Sequence, residues 1–343
     1  MVVTFIVGSG RCGSTLMSRL LRRHPAVLSV SEFFAALTVR RDAIPLAPLD
    51  GAAFWEMLSA NDPYLDAMVR DGLRAPELTY PYESGRFGPA AGVPMISHMT
   101  LPMLSDDPDR LFDELAAEVP AWPLRPAGEQ YSAFFELMAR RLGRPVVVER
   151  SGASLSLVPD LLAHFPGARF VHIHRNGPDC AESMSRHIGF RLTALARHAA
   201  RLAGVASPAQ LNPETMKRVP AELVDLLVPP FDPSAFRDYR IPVEVFGEMW
   251  SEMITEGCTA LAAVPAERQA ELSFEALLAD PDEELTRVAA FLGVDADPAW
   301  LADARGEIDP SRIHGAAGLD PAAGEALRAA CEPGERSLRT LVG

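Results

Sequence analysis

The 343-residue chain carries 46 acidic against 32 basic side chains, a net charge of −14. That balance excludes nucleic acid as an expected partner, because binding a phosphate backbone needs a basic surface, and any polyanion site must be cation gathered locally in an acidic body. Apolar residues make up 48%, ample for a large core, yet no uncharged apolar run reaches eighteen residues, so no membrane span is expected.

Met1-Val2-Val3-Thr4-Phe5 enters a strand directly, without a basic leader or cleavage site, so a cytoplasmic location is expected. The strand spans Val2–Val7, and a helix follows from Ser14 to His24, stopped by Pro25. Val27–Val30 reads as a short buried strand ending at Ser31-Glu32-Phe33. From about 40 to 130 the chain is rich in proline and glycine, with short helical stretches such as Leu111–Glu118. This is an insertion expected to cover a site. Gln130–Leu142 has the amphipathic period of a helix, closed by Gly143. A strand at Pro145–Glu149, a helix at Leu155–Phe165 and a strand at Phe170–His174 follow. A Gly-Pro turn then opens a helix through Ser183. Residues 188–242 form a second proline-bearing helical insertion, before a long helix at Val245–Val264. A strand at Glu271–Phe274 and a helix at Glu283–Gly293 come next, while 295–343 is helix and loop without a strong period. Strands alternating with helices predict an α/β fold, a parallel sheet flanked by helices.

The turn after the first strand carries chemistry. Gly8-Ser-Gly-Arg-Cys-Gly-Ser-Thr15 has the glycine spacing of the G-x-x-x-x-G-K-[ST] loop, but Ser14 stands where the lysine belongs. Amides of Gly13, Ser14 and Thr15 at a helix start still suit an anion, and Arg11 is the only cation in the loop. The missing lysine argues against β/γ-phosphate chemistry on ATP or GTP. Cys12 sits beside Arg11 near the helix start, a setting that lowers a thiol pKa, although a small loop-filling residue is the plainer reading. None of the four cysteines has disulfide or metal spacing, and no metal site is expected.

A second segment, Gly167-Ala-Arg-Phe-Val-His-Ile-His-Arg175, runs into a helix with Ser183 eight residues beyond Arg175, so both side chains can face one anion. A third runs from Leu272-Ser-Phe-Glu-Ala-Leu-Leu-Ala-Asp-Pro281 into Glu284-Leu-Thr-Arg-Val-Ala-Ala-Phe-Leu-Gly293. Together these three blocks, in this order, resemble the signatures of sulfotransferases that use 3′-phosphoadenosine 5′-phosphosulfate (PAPS).

The resemblance implies a P-loop-NTPase-like sulfotransferase fold, one domain over 1–343, with the segments 40–130 and 188–242 capping the acceptor site. It implies PAPS as sulfuryl donor and PAP as product. Arg11, Cys12, Gly13, Ser14 and Thr15 would hold the 5′-phosphosulfate, and Arg175 with Ser183 the 3′-phosphate. Phe274 stands where the family has a tyrosine near the adenine, and Ser273 replaces an arginine. Arg150 matches a lysine reaching the sulfuryl group, and Arg312 stands for a C-terminal cation over the 3′-phosphate. Glu32 is the expected general base, with Phe33 and Phe34 expected to dehydrate its carboxylate; His98 is the alternative base. The segment Ser151-Gly-Ala-Ser-Leu155 has no histidine, which closes the route used by relatives with a base there.

The expected acceptor is the hydroxyl, less readily the amine, of a small molecule, lipid, polyketide or carbohydrate, with a homodimer as one assembly open to the chain. Two other readings stay open: a P-loop kinase with a degenerate loop, and a catalytically silent nucleotide-binding protein.

Overall fold

The computed structural model describes residues 1–38, 44–309 and 316–342. Five strands, β1 (Thr4–Val7), β2 (Val27–Ser31), β3 (Val146–Arg150), β4 (Arg169–His174) and β5 (Gln269–Ser273), form one sheet in the order β2-β3-β1-β4-β5. Every pairing is parallel. Phe5-Ile-Val7 of β1 and Val146-Val-Val148 of β3 are unbroken apolar runs, because helices cover both faces of the sheet, whereas β2, β4 and β5 carry polar residues such as Ser29, His172 and Glu271. No helix among the described residues is long and apolar enough to cross a membrane.

Parallel pairing puts all five C-terminal strand ends on one edge. The glycine turn leaves β1 there, Glu32 follows β2, Arg150 ends β3, Arg175 follows β4 and Phe274 follows β5. In open parallel sheets this edge is where ligands bind.

Phe33 and Phe34 point away from that edge. They pack with Tyr131, Phe134 and Phe135 of the Ala127–Leu142 helix, at centroid distances such as 5.2 Å for Phe33–Phe134 and 5.3 Å for Phe34–Tyr131. The expectation that this pair dehydrates Glu32 is therefore corrected: both rings serve the core and anchor the chain directly after the turn.

The segment 40–130 does not act as one piece. Its helices Gly51–Ser59 and Pro108–Glu118 join the main core through Phe54, Leu58, Leu111 and Leu115. Leu65, Met68, Leu78, Met95 and Met99 instead build a second apolar cluster with Leu195, Leu223, Leu226, Phe231 and Phe236 of the segment 188–242. Hydrogen bonds join the two parts: the Phe231 amide donates to Asp71 Oδ2 at 2.9 Å, and within the second part Arg191 holds the carbonyls of Phe236 and Tyr239.

The C-terminal stretch lacked a sequence period, yet Pro321–Val342 is a helix, packed along Val243–Leu261. Pro333 lies inside it. Ser251 bridges the break, its hydroxyl donating to Ala330 O (2.7 Å) and accepting from the Gly334 amide (3.2 Å). That side chain bridges the rung from Gly334 to Ala330, next to the one that Pro333 cannot make.

Candidate active site

The Gly8–Gly13 turn holds three residues at positive φ: Gly10 (78°), Arg11 (57°) and Gly13 (95°). Gly13 must be glycine on a second count, since a Cβ there would lie 2.2 Å from the Phe274 ring. The helix Ser14–Arg22 starts directly after it with no side-chain cap. Its first amides thus have no intrahelical partner and face the sheet edge.

Non-glycine residues at positive φ are costly, about 1–3 kcal/mol each, and cluster where structure serves function. Among the described residues they are Arg11, Glu32 (57°) and Ala153 (55°). All three line the cavities at the sheet edge.

Two such cavities lie side by side, of about 410 and 570 Å³. They share a wall of Arg11, Ser14, Thr15, Glu32, Glu77 and Arg150. The larger one continues past Arg175, Ser183 and Phe274, and the smaller one past Leu65, Met68, Leu78 and Phe190.

At the shared wall Glu32 Oε1 pairs with Arg150 Nη1, and Oε2 accepts from the Gly152 amide at 2.8 Å. Both side chains are almost enclosed, at 5% and 3% exposure, yet both reach the cavities. Arg150 Nε is buried with no hydrogen-bond partner among the described residues. A buried donor left this way costs free energy until something accepts from it.

Arg11 Nε donates to Ser183 Oγ at 3.2 Å, so the two anion-binding segments read from the sequence touch. The Arg175 guanidinium lies 4.8 Å over the Phe274 ring, and Arg175 is 9% exposed. Phe274 is the first residue of the Phe274–Ala279 helix, capped by Ser273, and not the end of a strand. Its ring packs between Gly13 and Arg175.

The Cys12 side chain is corrected. It lies under the turn against Gly8, fully buried, and lines neither cavity. Burial pushes its thiol pKa up, because the thiolate has lost its water, with hydrogen bonds to nearby backbone only partly opposing. His98 is also outside both cavities. It is fully enclosed, with Nδ1 2.8 Å from the Tyr82 hydroxyl, and burial lowers its pKa to about 4. Arg312 lies outside the described residues.

Sequence reasoning passed over Glu77. Its carboxylate is 3.0 Å from His187 Nε2 and 3.7 Å from Arg11 Nη1, on the shared wall. His187 Nδ1 accepts from the Gly189 amide, so the proton facing Glu77 sits on Nε2. The Glu77 pKa is lowered: burial raises it, but the His187 bond and charge, with Arg11, outweigh that. A glutamate in a Pro-Glu-Leu-Thr stretch carries no motif, and its partner lies 110 residues away.

One acid behind the site gives a testable pH effect. Glu149, on the opposite face of β3 from Arg150, accepts from the Ser151 hydroxyl (2.6 Å) and the Phe34 amide (3.4 Å). Burial pushes its pKa from 4.5 up to about 7, the Ser151 bond opposing and the Glu32 charge adding. The folded state then keeps a proton the unfolded chain has released, so this contribution to stability is full below about 4.5 and is lost as pH rises through about 7. Glu149→Gln is expected to remove a fall of up to about 3 kcal/mol across that window. Urea unfolding at pH 4.5 and 8 measures it; an unchanged pH slope in the variant rejects it.

The sequence profile of the sulfotransferase family matches residues 4–219. The chain belongs to the sulfotransferase family. Membership makes it a transferase, and the match covers the turn, Glu32, Arg150, Arg175 and Ser183. Solved structures similar to this sulfotransferase include the sulfotransferase domain from the curacin biosynthetic pathway, at 14% identity with 96% of each chain covered and a TM-score of 0.47. Another is the sulfotransferase domain from the Synechococcus PCC 7002 olefin synthase, at 18% identity, covering 97% of this chain and 94% of that one, TM-score 0.46. A third is a sulfotransferase from Alicyclobacillus acidocaldarius, at 18% identity, covering 100% and 96%, TM-score 0.42. No curated protein sequence matches the chain.

Proposed function

We propose that this sulfotransferase moves the sulfuryl group of PAPS in line onto a hydroxyl, less readily an amine, held in the smaller cavity. One observation carries the reading: two cavities meet at a wall that presents two carboxylates, Glu32 and Glu77, and two arginines, Arg11 and Arg150. PAPS, when bound, supplies a sulfuryl group on a phosphate leaving group. The residues of the larger cavity fit such a polyanion. The uncapped helix start, Arg11 and the unsatisfied Arg150 Nε offer donors at one end, and Arg175 with Ser183 at the other. The acids on its rim are engaged elsewhere: Asp179 accepts from the Ala316 amide, Glu182 pairs with Arg186, and Glu307 with Arg19 and Arg23.

Glu32 is the general base in this reading. As it takes the acceptor proton its charge is quenched, and Arg150 loses its partner. The freed guanidinium then faces the charge that builds on the leaving oxygen, so proton removal and leaving-group stabilisation act together. Arg11 provides the second countercharge, and the apolar segments of 40–130 and 188–242 cap the acceptor within a single domain.

Product analysis by mass spectrometry after incubation with PAPS and a metabolite extract tests the reading; PAPS consumed without any sulfated product argues against it. Because Ser14 replaces the loop lysine, full turnover in excess EDTA is expected. Strict dependence on Mg²⁺, with transfer from ATP, would favour a kinase instead.

A further inference from the structure

We propose that the acceptor is an uncharged, predominantly apolar alcohol with a body of about a dozen carbon-sized groups, presenting one hydroxyl to Glu32. The proposal rests on the reading of the smaller cavity as the acceptor site.

The cavity has about 410 Å³, within the range of small-molecule sites. At about 30 Å³ for a water-sized group, it takes roughly fourteen of them. Beyond the shared wall its lining is Leu65, Met68, Leu78, Phe190 and Leu192, with Met99 from the wall itself. Leu65, Met68, Leu78 and Met99 belong to the second apolar cluster, built from both insertions. This side of the cavity is thus the face of a packed core.

The polar atoms on that side are already used. His187 bonds Glu77 through Nε2 and the Gly189 amide through Nδ1. Thr193 Oγ1 donates to Gly189 O at 3.0 Å. Beyond the shared wall, which carries the Ser14 and Thr15 hydroxyls, Tyr64, 39% exposed, brings the one side-chain hydroxyl not so engaged among the described lining residues. A sugar would therefore set several hydroxyls against leucine and methionine side chains. Each hydroxyl buried without a partner lowers binding about ten- to a hundredfold.

Charge points the same way. The shared wall carries Arg11 and Arg150 against Glu32 and Glu77, so its formal charges cancel and favour neither a cationic nor an anionic acceptor. An apolar body loses nothing by leaving water for this cavity, and its hydroxyl meets the paired carboxylate at the wall.

The test uses the full chain. Calorimetric titration with PAP comes first. Transfer from ³⁵S-labelled PAPS is then measured to 1-decanol and decahydro-2-naphthol, and to D-glucose and myo-inositol. The expected kcat/KM is at least about 100-fold higher for the apolar alcohols. Leu192→Gln, at a half-buried position that the main core does not need, is expected to lower kcat/KM for 1-decanol about tenfold with PAP affinity unchanged. Met68→Gln repeats the test from the opposite insertion. Glucose or inositol accepted as well as decanol overturns the proposal. So does PAP binding without transfer to either apolar alcohol. Absence of PAP binding removes the donor reading, and this inference falls with it.

Discussion

Glu32→Gln is expected to lower turnover by about 10²–10⁴-fold while leaving PAP affinity nearly intact. The amide keeps the shape and can still accept from the Gly152 N–H, but it cannot take a proton. The pairing with Arg150 adds a structural consequence. Removing one charge of a buried pair leaves the other uncompensated, typically at about 3–5 kcal/mol. The variant should therefore melt at lower temperature as well, and turnover must be measured where it is fully folded. Arg11→Ala carries a different signature. That side chain reaches Ser183 and the larger cavity, so its loss should weaken PAP binding together with turnover. Near-normal turnover in Glu32→Gln would reject the base assignment. If Glu77→Gln were then inactive, the proton would go to the Glu77–His187 pair, which is the other carboxylate on the shared wall. His98→Ala is expected to lower stability without a selective loss of turnover, because His98 is enclosed in the Met95–Met99 helix.

What the sequence revealed follows from how locally each feature is encoded. Short apolar stretches mark β1 to β4, such as Phe5-Ile-Val7, Val146-Val-Val148 and Phe170-Val171, and the residues just past them are the ones at the C-terminal strand ends. Hence Arg11, Glu32, Arg150 and Arg175 could be read without coordinates, and all of them line the cavities. The strand before Phe274 was drawn one residue too long, because Ser273 both ends β5 and caps the next helix, its hydroxyl accepting from the Ala276 amide, and that double role shows only in the coordinates. The cap was opaque for a different reason. Glu77 and His187 gain their roles only from each other, across a gap that no period or motif spans. Phe33 and Phe34 misled because adjacency in sequence suggested a shared face, while the left-handed turn at Glu32 sends the carboxylate to the sheet edge and the rings to the core. The C-terminal helix was hidden by Pro333, since the repair comes from Ser251 in another helix.

Arg175→Ala should abolish the preference for PAP over 5′-AMP. The two nucleotides differ by the 3′-phosphate, which Arg175 and Ser183 are proposed to hold. A charge-assisted hydrogen bond contributes about 1.5–3 kcal/mol, and a guanidinium fork makes two. The expected loss in PAP affinity is thus at least about 100-fold, with 5′-AMP affinity nearly unchanged. The Phe274 ring refines the test. It lies beneath the guanidinium, 4.8 Å from it, and is wedged against Gly13, so it limits where the fork can sit. Arg175→Lys keeps the charge but loses both the fork and the stacking, and should recover only part of the affinity. Phe274→Leu keeps an apolar filler and should weaken PAP binding by a few-fold to about thirtyfold, the range of a cation–π contact. In Arg175→Ala the same Phe274→Leu change should matter much less, since the ring has lost what it positions. Calorimetric titration of the four proteins with both nucleotides decides it. Equal losses for PAP and 5′-AMP in Arg175→Ala would place the 3′-phosphate elsewhere. Additive losses in the double variant would reduce Phe274 to a packing residue beneath the glycine turn.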